Sequence, residues 1–347
     1  MAATAKKTAK NVKSVKKASN VVSIKKGKIK VETEKVKAEP ARLISPWGRN
    51  STEFKTDMSV KDMLVESGLD WTVERYPLQV NVDGEMINVG EDALLRSDNN
   101  HILSTASTQW NHFDNEVAVE FMDKFARSIG NRVNFLGQVR GGRLVFGLSE
   151  LKGEKFALFK GKDEVSSYLL LSNPHVYGQK FDVRFTAIRD RCYNTLTQGL
   201  SRNGDLEVRI SHRKKFDPAF AEQALIAARG NMKKYQEMSE LLASKRFSED
   251  TLIEYYHTVF PTLSNKKGRD PKKLSRPGQM AFDVLETQPG AELGEGTWWQ
   301  VYNSATYALD HLVGRSPDNR LYASWYGLNR AKKNQALRIA CEFAQAA

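Results

Sequence analysis

Between Arg184 and Lys215 the chain gathers Arg184, Arg189, Arg191, Arg209, His212, Arg213, Lys214 and Lys215 around the string Arg191-Cys192-Tyr193-Asn194-Thr195-Leu196. Guanidinium forks take oxyanions two oxygens at a time, and a tyrosine ring gives a flat face on which an unstacked base rests, so the expected chemistry is phosphate binding with stacking. The bland alternative is that alternating arginines on a strand simply solvate an exposed face. A second cationic group follows in Lys266, Lys267, Arg269, Lys272, Lys273 and Arg276, set against Asp270 alone. Six such cations repel one another unless a polyanion or water screens them.

Covalent and metal chemistry find little support. The chain has no GxxxxGK[ST] phosphate loop, HExxH, GxSxG or carboxylate-rich metal string, so no enzyme, cofactor or metal is expected. Cys192 and Cys341 are the only cysteines and lie far apart, which fits reduced, buried thiols better than a disulfide, a zinc site or a nucleophile. Asn194 and Thr195 read equally well as structural residues that satisfy backbone groups. His257 and His311 fall in expected helices with no second ligand at i±4, and Asp310 and His311 point apart as i, i+1 neighbours. Gly290, Gly294 and Gly296 precede Trp298 without a strand before them and mark a helix-entry turn.

The elements that must hold these groups alternate in period. Ser59 caps a short helix ending at Gly68, and Trp71 to Val82 forms an edge strand around Pro77. Asp83-Gly84 turns it back through Ile87 to Val89, and Asn115 to Ile129 is an amphipathic helix stopped by Gly130. Val133 to Val139 and Leu144 to Leu151 pair through Gly141-Gly142. Ser166 to Leu171, Phe181 to Ala187 and Leu206 to Ile210 add strands, and the stretch from Arg189 to Leu200 reads as helix or turn. From Asp217 and Pro218 the texture is helical: one helix to about Lys245, one over Thr251 to Phe260, then Thr297 to Leu312 and Arg320 to Ala344. The fold class is α+β, an antiparallel β-meander with packed helices, a helical C-terminal third and a disordered basic N-terminal tail. The divisions fall at 1–45 for the tail, 46–215 for the sheet domain and 216–347 for the helical region packed on it.

Charge separates the tail from the body. The chain carries +12 over 347 residues, but residues 1–40 hold twelve Lys against Glu32, Glu34 and Glu39, a net +9, which leaves +3 for the rest. With no Phe, Tyr or Trp, the tail has too little apolar area to offset ordering entropy; it serves either as a polyanion-attracting arm or as a solubilising one. No apolar run approaches the ~18 residues of a membrane span, so no membrane partner is expected and the cytoplasm is the expected compartment.

Read in order, Ser59-Val60-Lys61-Asp62-Met63-Leu64, Leu95-Arg96-Ser97-Asp98-Asn99, Gly141-Gly142-Arg143, the Arg191 to Leu196 string, Ser211-His212, and Gly296 to Trp299 through Ala308 to His311 resemble a phage/plasmid-like family classed as a prokaryotic domain of unknown function. The resemblance spans nearly everything after residue 50. Departures are the Thr108 to His112 stretch, where an aromatic-rich segment is usual, and the lysine tail. It implies a phage or mobile-element setting, with the host cytoplasm as location, and brings no established site residues. The order of strands and helices is also similar to the β-β-β-α core of ring-forming single-strand annealing proteins, an analogy of fold only. The expected function is nucleic-acid binding, with single-stranded DNA favoured, annealing without ATP and a homo-oligomer in view. The alternative is a non-enzymatic interaction protein that modulates a host or phage factor.

Overall fold

Alternating apolar side chains bury the central sheet on both faces. The computed structural model describes residues 45–199, 208–210, 218–262 and 273–347, without the side chains of 208–210 and 218–220. The lysine tail, the Asn203-Gly204 turn, the His212 to Lys215 cluster, the Asp217 cap and Lys266, Lys267, Arg269 and Lys272 lie outside the described residues. The main sheet is antiparallel and contains β1 (Ser51–Glu53), β5 (Phe135–Val139), β6 (Leu144–Leu158), β7 (Asp163–Pro174) and β8 (Phe181–Arg189), ordered β1-β5-β6-β7-β8. Beyond β8, β9 (Asn194–Gly199) and β10 (Val208–Ile210) pair with successive parts of its free edge. One face, with Val145, Leu169, Val183 and Phe185, packs against α2 (Asn115–Ser128) and α3 (Pro218–Ser244). The other, with Phe146, Leu148, Leu170 and Ile188, meets Trp47 and the Leu321 and Trp325 side chains of α7 (Pro317–Trp325).

Of the two readings for the stretch after Arg189, the turn holds for Asp190–Tyr193, and the chain then runs as a strand to Gly199 rather than as a helix. Tyr193 takes a left-handed φ of 53° and its N–H closes a turn onto the Arg189 carbonyl at 2.8 Å. The chain then returns as β9, whose polar side chains point into protein and are satisfied by distant helices, which a local reading misses.

The remaining helices are α1 (Val60–Ser67), α4 (Glu249–Val259), α5 (Arg276–Asp283), α6 (Trp298–Tyr307) and α8 (Leu328–Ala346). Ser59 caps α1, Gly68 ends it in the left-handed region, and Ser248 and Thr251 form a reciprocal cap on α4. The helix expected over Arg320 to Ala344 is two. Ser316 and Pro317 start α7 early, and Gly327, with extended backbone, breaks the run where a Cβ would sit 3.0 Å from the Ala323 Cα. A π-helical turn, Ala308–Leu312, continues α6.

A separate sheet joins β2 (Val73–Val82), β3 (Glu85–Arg96) and β4 (Ile102–Ser107) in that order. Asp83 and Gly84 both have positive φ, 52° and 94°, as a two-residue hairpin turn demands. No described helix is long and apolar enough to cross a membrane.

Candidate nucleic-acid interface

Strand geometry decides the fate of the arginines on β8. Side chains alternate faces with period 2, and Arg184 and Arg189 are five residues apart, so they project from opposite faces of the sheet. The two guanidinium groups therefore share a strand but do not meet on one face of the sheet.

Arg189 is 2% exposed and serves the interior. Its fork takes both carboxylate oxygens of Asp163 at 2.7 and 2.8 Å, and Nη2 also donates to the Gly290 carbonyl at 2.9 Å. The Trp299 indole donates to the same carboxylate at 2.7 Å. Cys192 is fully buried, and burial pushes its thiol up despite the adjacent guanidinium. Arg191 is exposed and donates to the Lys162 carbonyl at 3.2 Å. Tyr193 is half-buried, and its ring makes a T-shaped contact with Trp47 at 5.7 Å.

The Asn194-Thr195 pair closes a second buried network. Asn194 donates to the Asn303 carbonyl at 3.0 Å and the Thr306 hydroxyl at 2.9 Å. Asp310 accepts from the Thr195 N–H at 2.7 Å, while the Lys333 ammonium donates to Asp310 at 2.7 Å and to the Thr195 hydroxyl at 2.6 Å. Burial pulls the Lys333 pKa down and Asp310 opposes it. His311 turns away and stacks on Tyr307 at 4.3 Å; burial lowers its pKa. These contacts fasten β9 to α6 and α8 in the interior, so Asn194 and Thr195 take the structural reading and lock sheet to helices.

Arg184 sits elsewhere, in the wall of a cavity of about 250 Å³ at the ends of β6, β7 and β8. It is 6% exposed and gives Nε and Nη2 to one oxygen of Asp182, at 2.9 and 2.6 Å. Its guanidinium lies over Tyr326 at 5.0 Å, Tyr326 over Tyr322 at 5.5 Å, and Tyr322 under Arg140 at 4.6 Å. The result is a stack of two cations enclosing two aromatic rings, buried at the Arg184 end and exposed at Arg140. Gln179 and Lys180 line the cavity and are exposed. The second Asp182 oxygen is buried with no hydrogen-bond partner among the described residues. The Cα of Arg209 pairs with that of Asp182, and Ile210, one residue before Ser211-His212, pairs with Phe181 beside Lys180. Lys273 and Arg276 are exposed at the start of α5, on an element not among those lining the cavity.

Tyr322, Tyr326, Lys180 and Arg140 were not expected at a site. The available signal was the i, i+4 spacing of the two tyrosines, which places them on one helix face.

The sequence matches the family described as Domain of unknown function (DUF932) over residues 102–337. The chain belongs to the DUF932 family. The matched residues run from β4 into α8 and include the cavity and both buried networks. No curated protein and no solved structure matches the chain.

Proposed function

We propose that this DUF932 chain binds single-stranded nucleic acid, DNA by preference, and anneals strands without ATP, in the cytoplasm of a host that carries it on a phage or mobile element. The observation that carries the reading is the stack of Arg140, Tyr322, Tyr326 and Arg184 beside the cavity. Its exposed end offers a guanidinium plane to a base, and Lys180 at the mouth offers an ammonium to a phosphate. A cavity of about 250 Å³ lies just under the ~300–1,000 Å³ of ligand sites, which suits one nucleotide unit rather than a dinucleotide cofactor. The +12 charge, most of it in residues 1–40, supplies long-range attraction.

The test is a titration of a labelled oligonucleotide at several salt concentrations. About six neutralised phosphates give a slope of log K on log salt near −4, at ~0.7 per contact. Replacing Arg140 and Lys180 by Ala, both exposed, brings it to about −2.8. No binding at micromolar protein in low salt removes the proposal, and binding that vanishes wholly on deleting residues 1–40 reduces it to adhesion by the tail. The reading as a non-enzymatic interaction protein draws on one feature, the exposed apolar hairpin of β2 and β3. Partners that survive nuclease during affinity purification favour it.

A further inference from the structure

Arg140 enters the cation-aromatic stack on a backbone that side chains seldom adopt. It follows β5 with a left-handed φ of 56°, ahead of Gly141 at 70° and Gly142 at 95°, and is the one residue of the three with a side chain. Such a conformation persists where the surroundings fix it, and it collects at ligand sites. Asp318 supplies the fixing contact. Its two carboxylate oxygens accept the Arg140 N–H at 2.9 and 3.1 Å, and Oδ1 also accepts from the Asn50 amide at 3.1 Å. Asp318 is the second residue of α7, and Tyr322 stands at i+4 on the same helix face. One helix therefore grips Arg140 twice, the backbone by a carboxylate and the guanidinium by a ring 4.6 Å away. The carboxylate is spent on amide groups. No described acid forms an ion pair with the Arg140 guanidinium, which stays exposed.

Resting on the reading of this stack as a nucleic-acid site, we propose that Asp318 is the positioning residue that sets a preference for unpaired strands. It holds the Arg140 guanidinium flat on Tyr322, where its plane takes an unstacked base and its N–H edge takes the phosphate beside that base. A duplex presents phosphates but keeps its bases stacked, so it gains from the charge of Arg140 and not from the orientation of the plane. Asp318 itself touches no ligand. Charge and position give opposite signs for its removal. As a lone negative charge it repels a polyanion, so its loss tightens binding; as the clamp on Arg140, its loss weakens binding to single strands.

The test is an anisotropy titration of a labelled oligonucleotide, single-stranded and as its duplex, against full-length wild type, D318A, D318N, R140A and R140A/D318A, after melting curves establish that each is folded. D318N loses the charge but keeps one acceptor for the Arg140 N–H, which separates charge from position. The expected result is single-strand affinity about tenfold lower in D318A, with a salt slope shallower by ~0.7 and duplex affinity within about threefold of wild type. D318N falls between D318A and the wild type, and D318A adds nothing to R140A. A wild type that binds no oligonucleotide removes the nucleic-acid reading and this inference with it. Where the wild type binds, D318A at or above its affinity overturns the positioning role and leaves the reading in place, as does equal weakening of single strand and duplex. Should D318A not fold, R140A decides: a full single-strand preference without the guanidinium overturns the proposal.

Discussion

Replacing Lys333 by Met tests whether the Thr195 region is a structural lock. Lys333 is fully buried and has two acceptors, Asp310 at 2.7 Å and Thr195 at 2.6 Å. Met keeps most of the volume but removes the charge, leaving the Asp310 carboxylate, 2% exposed, with the Thr195 N–H and hydroxyl as its remaining donors. Breaking a buried pair by removing one partner costs about 3–5 kcal/mol, chiefly the expense of an uncompensated charge. At about 2 °C per kcal/mol for a chain of this size, the melting temperature falls by ~6–10 °C. Urea denaturation of the wild type, K333M, D310N and the double variant measures the coupling. The double variant is expected to lose ~2–3 kcal/mol less than the sum of the single losses. Because the pair is sealed from solvent, added salt leaves the loss nearly unchanged. A K333M loss under ~1 kcal/mol, or a double variant equal to the sum, refutes the lock.

Gly290 has a φ of +78°, and a Cβ there sits 2.7 Å from the Arg189 Nη2, so G290A costs about 1–3 kcal/mol in chemical denaturation, more than G153A, whose φ is +80° in open space. Burial, with repulsion from Glu164, raises the Asp190 carboxyl from 3.8 to about 6. Its contribution is therefore complete below about pH 4 and lost as pH rises through about 6, so D190N melts above the wild type at neutral pH and level with it at about pH 4. Both thiols are buried and burial raises both, Cys341 to about 11, so thiol reagents label neither in the native protein and both once urea unfolds it; native labelling of Cys192 contradicts its sealed position. Substituting Tyr322 by Ala removes the middle of the cation-aromatic stack, and oligonucleotide affinity is expected to fall about tenfold, read by anisotropy, with wild-type affinity counting against the cavity.

Local chemistry determined the features that a few neighbouring residues decide alone. The Asp83-Gly84 and Gly141-Gly142 turns, the Ser59 cap and the Gly68 stop follow from backbone sterics and lie where the sequence reading expects them, whereas β6 runs on to Leu158 and β7 spans Asp163–Pro174, past the expected Leu151 and Ser166 to Leu171. The opposite facing of Arg184 and Arg189 was also legible, since an odd spacing on a strand changes face. Tertiary structure alone assigned the partners. Asp163 lies 26 residues from Arg189, Asp310 lies 115 from Thr195, and Lys333 lies 138 from it. A buried charge needs a counter-charge but carries no local mark of which acid will supply it, so a run of arginines reads the same whether it faces phosphate or a carboxylate delivered by a distant element. That choice belongs to the packing of the C-terminal helices on β8 and β9.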